Sequence, residues 1–324
     1  MAARSLLSLL SLKAAILLTI PLGAQAAKIE HYTPLAPGAC YGDSAVLRTF
    51  DLEGRPMQLS VDTRSLRTRI EPRSTLPARP CGDSRYTRLL AQASAAPWPL
   101  QNDGITRGKA GLYLSTDLCP SSKKGYERRL YQALIGHFSH PVPVALFITK
   151  RWIDRHPGAF RELKAWDDNG SLAVTWGNHT AAHHYHPGKP LRENFVLSPE
   201  ENLSADIQEL EKALIQRGVT PSVFFRFPGL VSDRKAVETV TRLGLITVGT
   251  DAWLAKGQKP KAGSIILLHG NGNEPRGVEI FLKMLDEGKI RDLRPLEELG
   301  TPTNPLPSLP QKRESTAQSP AKAI

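Results

Sequence analysis

The sequence predicts an α/β fold of the (β/α) barrel type, and three observations carry that prediction. Six short apolar runs alternate with helical stretches between residues 109 and 300. Each run is apolar almost throughout, as expected of strands buried on both faces of a parallel sheet. Ionisable residues stand at or beside the carboxyl ends of five of these runs, and in a barrel those ends converge on one face. An open doubly wound sheet shares the same strand order; the five strand ends favour the barrel.

Taken in chain order, residues 1–26 read as a secretory signal, with Arg4 in a basic start, an apolar run from Ala14 to Ile20, and Ala24-Gln25-Ala26 as a cleavage site. The longest uncharged run, 14–27, is too short to span a bilayer. The mature chain is therefore expected to be exported, periplasmic or extracellular, with no transmembrane segment. Residues 27–108 hold many Pro, Arg and Ser, one strand-like stretch around 45–61 and no sustained helical period. A small loop-rich segment is expected there. The strands are GLYLST (111–116), VPVALFIT (142–149), SLAVTW (171–176), SVFFRF (222–227), LITVGT (245–250) and SIILLH (264–269). Helices are expected over 126–138, 158–166, 199–217, 233–243 and 277–287. The third is the clearest: Ser198-Pro199-Glu200-Glu201 supplies a cap, Leu203, Ile207, Leu210 and Leu214 share one face, and Gly218 closes it. Residues 301–324, rich in Pro, Ser and Thr, read as a disordered tail.

The net charge is +11, of which Arg4 and Lys13 contribute 2, leaving +9 on the mature chain. That balance favours anionic surfaces or polymers. The basic residues lack aromatic interleaving or a nucleic-acid motif, so no nucleic-acid partner is expected. Of the three cysteines, Cys40 and Cys81 are the expected disulfide partners in an oxidising compartment, leaving Cys119 as a free thiol.

The densest chemistry is WGNHTAAHHYHP, residues 176–187, with four of the nine histidines. His179 and His183 have i, i+4 spacing, so one helical turn after the third strand would aim both imidazoles the same way, as half of a transition-metal site. Asp117, Arg226, Asp251 and His269 stand at neighbouring strand ends.

The series Ser-Thr-Asp-Leu-Cys-Pro (115–120), Asn-His-Thr-Ala-Ala-His (178–183), Arg-Phe-Pro-Gly (226–229), Thr-Asp-Ala-Trp (250–253) and Ile-Leu-Leu-His (266–269) resembles the five motifs of the polysaccharide deacetylases. The resemblance covers residues 109 to about 299. It implies a distorted (β/α) barrel, a divalent metal, usually zinc, and removal of acetyl groups, chiefly N-acetyl, from a polysaccharide or peptidoglycan-type glycan. It also implies roles: His179 and His183 as metal ligands, Thr180 holding their loop, Asp117 as catalytic base and His269 as catalytic acid. Arg226 would orient the base, Asp251 would accompany the acidic histidine, and Trp253 would line the sugar site.

The resemblance departs at one position. The family's metal-binding aspartate, second of an adjacent pair, is replaced by Leu118, and the glycine after it by Cys119. A third ligand would have to come from Asp117, Cys119 or an extra histidine, His184 or His186, although Pro187 discourages helix at His186. Without one, the alternatives are an enzyme acting with weak metal binding or a catalytically inactive glycan-binding protein of the same fold. A serine esterase built on Gly-Asp-Ser at 42–44 or 82–84 lacks a nucleophile elbow.

Overall fold

The computed structural model describes residues 26–301, apart from 76, 122, 124 and 140. All but one residue each of the expected signal and tail lie outside the described residues. Where composition suggested loops, the chain builds an antiparallel sheet. Its strands are β1 (Ile29–Pro34), β2 (Ala39–Tyr41), β3 (Ser44–Leu52), β4 (Arg55–Asp62), β5 (Thr68–Pro72) and β6 (Arg79–Pro80). They pair in the order β5-β4-β3-β2-β6, with β1 against β3. The strand-like stretch is the β3–β4 hairpin, turned through Glu53 and Gly54, both at positive φ. Leu47, Phe50, Leu59 and Val61 are buried, and so are the polar Arg48, Thr49, Gln58 and Ser60, while Arg55 and Arg69 are exposed. This mixture of polar and apolar residues gave the segment the composition of a loop. Helix α1 (Arg85–Ser94) follows, opened by a Ser84–Thr87 capping box. The Cys40–Cys81 disulfide is formed, and Cys119 is a buried free thiol.

The second sheet is wholly parallel. In chain order its elements are β7 (Tyr113–Leu118), α2 (Arg128–His137), β8 (Val142–Ile148), α3 (Lys150–Arg155), α4 (Pro157–Asp168) and β9 (Leu172–Asn178). Then come α5 (Leu203–Ile215), β10 (Phe224–Phe225), α6 (Arg234–Arg242), β11 (Ile246–Thr247), β12 (Ala252–Trp253), β13 (Ile265–His269) and α7 (Pro275–Asp286). The strands run β11-β10-β9-β8-β7-β13-β12, curled into an incomplete, distorted (β/α) barrel. The gap beside β11 is bridged by an isolated ladder in which Ile105 pairs with Val248 and Arg107 with Ser264. All six predicted runs contribute strands; β12 was not foreseen. Helix α5 starts at Leu203, not near Ser198, because Asn202 Oδ1 accepts the Ala205 N–H at 3.2 Å.

Two packing layers position the site. The outer layer joins β7 through Leu114 and Leu118 to α2 residues Leu130, Tyr131 and Leu134. The inner layer merges the antiparallel sheet with the amino ends of the barrel strands, placing Leu47, Phe50 and Val61 in one core with Tyr113, Phe224, Ile246 and Ile265. Arg48 of β3 reaches Glu211 of helix α5 through two 2.7 Å bonds, both side chains buried. One end of the barrel is thus plugged, and the carboxyl ends of the strands are left to form a cavity. Among the described residues no helix is long and apolar enough to cross a membrane.

Candidate active site

Strand alternation decides which residues of β7 reach the cavity. Leu114, Thr116 and Leu118 point toward α2, where Thr116 Oγ1 lies 3.0 Å from the Tyr131 hydroxyl. Ser115 and Asp117 point inward: the Ser115 hydroxyl donates to the Ile266 carbonyl at 2.6 Å, and Asp117 lines the cavity. Cys119, one residue past the strand, falls on the Asp117 side and also lines the cavity. Its backbone is fixed where it stands, because Asn271 Nδ2 donates to the Cys119 carbonyl at 2.9 Å. Leu118, at the sequence position of the family's carboxylate ligand, is fully buried in the outer core.

Asp117 is held by the buried Arg226, whose Nη1 donates to Oδ1 at 2.7 Å. The same guanidinium donates to the Val248 carbonyl at 3.2 Å and the Gly249 carbonyl at 3.0 Å, and packs 4.1 Å over the Phe147 ring. Burial alone would raise the Asp117 carboxyl; Arg226, then His179 and His269, outweigh it and hold the group below the ordinary carboxylate range. Oδ2 stays clear of Arg226 and lies 3.8 Å from His179 Nε2.

The two histidines do not share a helical turn. Residues 179–186 form a loop, with Thr180 and His183 at positive φ. Side chains substitute for helical bonds: Asn178 Oδ1 accepts the Thr180 N–H at 2.9 Å and Thr180 Oγ1 accepts the His183 N–H at 3.2 Å. Asp206 Oδ1 accepts the Ala182 N–H at 2.9 Å. The outcome matches the purpose of the spacing, since the ring centroids of His179 and His183 are 5.0 Å apart. His179 Nδ1 donates to the Arg226 carbonyl at 2.8 Å, which fixes its tautomer and leaves the Nε2 lone pair toward Cys119 Sγ, 3.5 Å away. Burial lowers both imidazoles, His183 to about 3, so both are neutral donors at pH 7. His184 and His186 are engaged elsewhere, by Glu201 at 2.6 Å and Glu200 at 2.7 Å. The two glutamates read as part of a helix cap serve these rings instead.

His269 is oriented by a residue that sequence reasoning missed. Its Nδ1 lies 2.8 Å from Glu274 Oε2, and Trp253 Nε1 donates to the same oxygen at 2.7 Å. Burial would raise the Glu274 carboxyl, and the bonds from His269 and Trp253 bring it below its ordinary value. The expected partner, Asp251, is bonded elsewhere. Its carboxylate accepts from the Ser264 hydroxyl and the Ile265 N–H, both at 3.1 Å, tying the start of β12 to β13. Glu274 follows a Gly-Asn-Gly-Asn turn that brings it back over His269, and no strand-end pattern marks it. Trp253 lines the cavity beside His269, its ring 5.9 Å away.

These groups surround a cavity of about 390 Å³ at the carboxyl ends of the strands. Tyr185 and Phe195 form one wall, stacked at 5.3 Å, and Arg151 and Arg155 add positive charge. Gly229 lets that wall approach: a Cβ there would meet the Phe195 ring at 2.6 Å. A divalent metal fits the donor set. Cys119, His179 and His183 present ligand atoms within 4.8 Å of one another, as do Asp117, Cys119 and His269. His183 Nε2 is a buried ring nitrogen with no hydrogen-bond partner, which metal coordination would satisfy.

Residues 105–248 match the family model described as polysaccharide deacetylase. Similar solved structures include a family 4 carbohydrate esterase from Bacillus anthracis, at 21% identity and a TM-score of 0.45, covering 67% of this chain and 92% of that one. The family 4 carbohydrate esterase PdaA of Bacillus subtilis is 16% identical, with a TM-score of 0.42, covering 64% of this chain and 86% of its own. A third, BA3943 of Bacillus anthracis, is described as a pseudoenzyme of the family; it is 17% identical, with a TM-score of 0.38, covering 57% of this chain and 65% of that one. The matched segment, residues 105–248, carries Asp117, His179, His183 and Arg226, and over that length the chain is similar to the polysaccharide deacetylases.

Proposed function

We propose that this chain is an exported, metal-dependent deacetylase that removes N-acetyl groups from a cell-wall glycan. The observation that carries the reading is the meeting in one cavity of a carboxylate held by an arginine and an imidazole held by a carboxylate, beside two neutral histidines. Amide hydrolysis needs a base for the attacking water and an acid for the departing amine. Asp117 Oδ2, free of Arg226, takes the proton from water as its oxygen bonds to the acetyl carbon. His269 donates a proton from Nε2 to the glycan nitrogen as the C–N bond breaks, giving acetate and a free amine, while Glu274 keeps Nδ1 occupied. Each such group contributes about a hundredfold to ten-thousandfold. A divalent metal at His179 and His183, zinc by the chemistry of these donors, supplies Lewis acidity to the carbonyl and to water.

Tyr185, at 59% exposure the most exposed large aromatic among the described residues, offers a face for a sugar ring beside the Trp253 wall. Arg151, Arg155 and the net positive charge favour an anionic polymer. Export rests on the signal-like residues 1–26 and is supported by the Cys40–Cys81 disulfide. The test is acetate release from N-acetylated oligosaccharides with added zinc. Asp117→Asn is expected to lower it at least a hundredfold and chelation to abolish it. No release from chitin, peptidoglycan or O-acetylated glycans would leave the glycan-binding reading in its place.

A further inference from the structure

The structure assigns the third metal ligand of this site to Cys119, a thiolate where the family uses a carboxylate. The inference rests on the metal-dependent reading above and specifies the donor that reading leaves open.

Three observations converge on it. The strand period turns residue 118 into the outer core and brings residue 119 to the cavity, so the donor has moved by one position along the chain. Cys119 Sγ lies 3.5 Å from His179 Nε2. Zinc bonds of about 2.3 Å to sulfur and about 2.0–2.1 Å to nitrogen, at the tetrahedral angle, place sulfur and nitrogen about 3.5 Å apart. Independently, His183 Nε2 is buried without a partner beside the same pair, and its ring packs against His179. These three ligand atoms form one of the two groups within 4.8 Å found among the described residues.

The alternatives are otherwise engaged. Asp117 Oδ1 is bound by Arg226, and using Oδ2 as a ligand would remove the base. His184 and His186 are bound by glutamates. Because His179 Nδ1 donates to the Arg226 carbonyl, Nε2 can only accept, so in the metal-free protein the Cys119 S–H donates to it. A metal held by Cys119, His179 and His183 would displace that proton to solvent, and this set would leave Asp117 as base.

The test uses the full mature chain, stripped of metal and loaded with cobalt(II) and, separately, zinc. The wild type is expected to show a thiolate-to-cobalt charge-transfer band and one metal per chain. Cys119→Ser is expected to lose the band and to bind zinc about a hundredfold more weakly or worse, with an unchanged metal-free melting curve. Cys119→Asp is expected to recover binding without the band. If the wild type binds cobalt without the band and Cys119→Ser binds zinc equally well, the cysteine assignment falls and a histidine-carboxylate site stands. If neither metal binds, the metal-dependent reading falls with it.

Discussion

Substituting Leu118 by aspartate would restore the second aspartate of the family's motif, and the structure predicts that it fails to restore the site. Leu118 is fully buried against α2, and a Cβ on Gly270 would already lie 3.1 Å from its Cδ2. Removing a buried leucine side chain costs about 3–5 kcal/mol. An unpaired carboxylate in the same apolar space costs several kcal/mol more, or takes up a proton. Together these approach the whole stability of a typical domain, about 5–15 kcal/mol. Urea unfolding at pH 7 is expected to show Leu118→Asp unfolded or nearly so, and Leu118→Met within about 1.5 kcal/mol of wild type. A Leu118→Asp protein of wild-type stability that binds zinc more tightly than wild type would refute the strand-alternation argument, because residue 118 would then face the cavity.

Glu274→Gln is expected to lower kcat about tenfold to a hundredfold with metal content unchanged, whereas Asp251→Asn should alter stability more than turnover; steady-state kinetics with metal analysis separates them. In the metal-free protein, His183 is held neutral down to about pH 3 while an unfolded chain's histidine takes a proton below about 6.5. The unfolded state therefore binds the extra proton between those values, so stability should fall as pH drops from about 6.5 toward 3; a His183→Gln protein should lose that part of the pH dependence in denaturant titrations. Arg48→Met leaves Glu211 buried without its ion pair and should cost about 3–5 kcal/mol in urea unfolding. A loss under about 1 kcal/mol would mean that the pair does not join β3 to α5.

The parallel sheet was legible because its strands are buried on both faces and so are written as plain apolar runs. The antiparallel sheet was not, because β3 and β4 bury polar residues such as Thr49, Gln58 and Ser60 among their apolar ones, and because buried Arg48 reads as a surface residue until Glu211 is brought to it. Asp117, Arg226, His179, His183 and His269 were readable from strand ends and motif order, and they meet in the structure. Glu274 was hidden because its approach to His269 depends on a turn with no period of its own. Asp251 misled for the opposite reason, being at a strand end but bonded to backbone and to Ser264. Cys119 was visible only as one option among several; the alternation of β7 and the fixed tautomer of His179 single it out.

Metal-dependent deacetylation in this cavity is tested most directly by a zinc titration of the metal-free mature chain, following acetate release from an N-acetylated glycan and bound metal in the same samples. Release is expected to rise with occupancy and to saturate at one zinc per chain. Release that is unchanged by chelation, or full occupancy without release from any acetylated glycan, would contradict it.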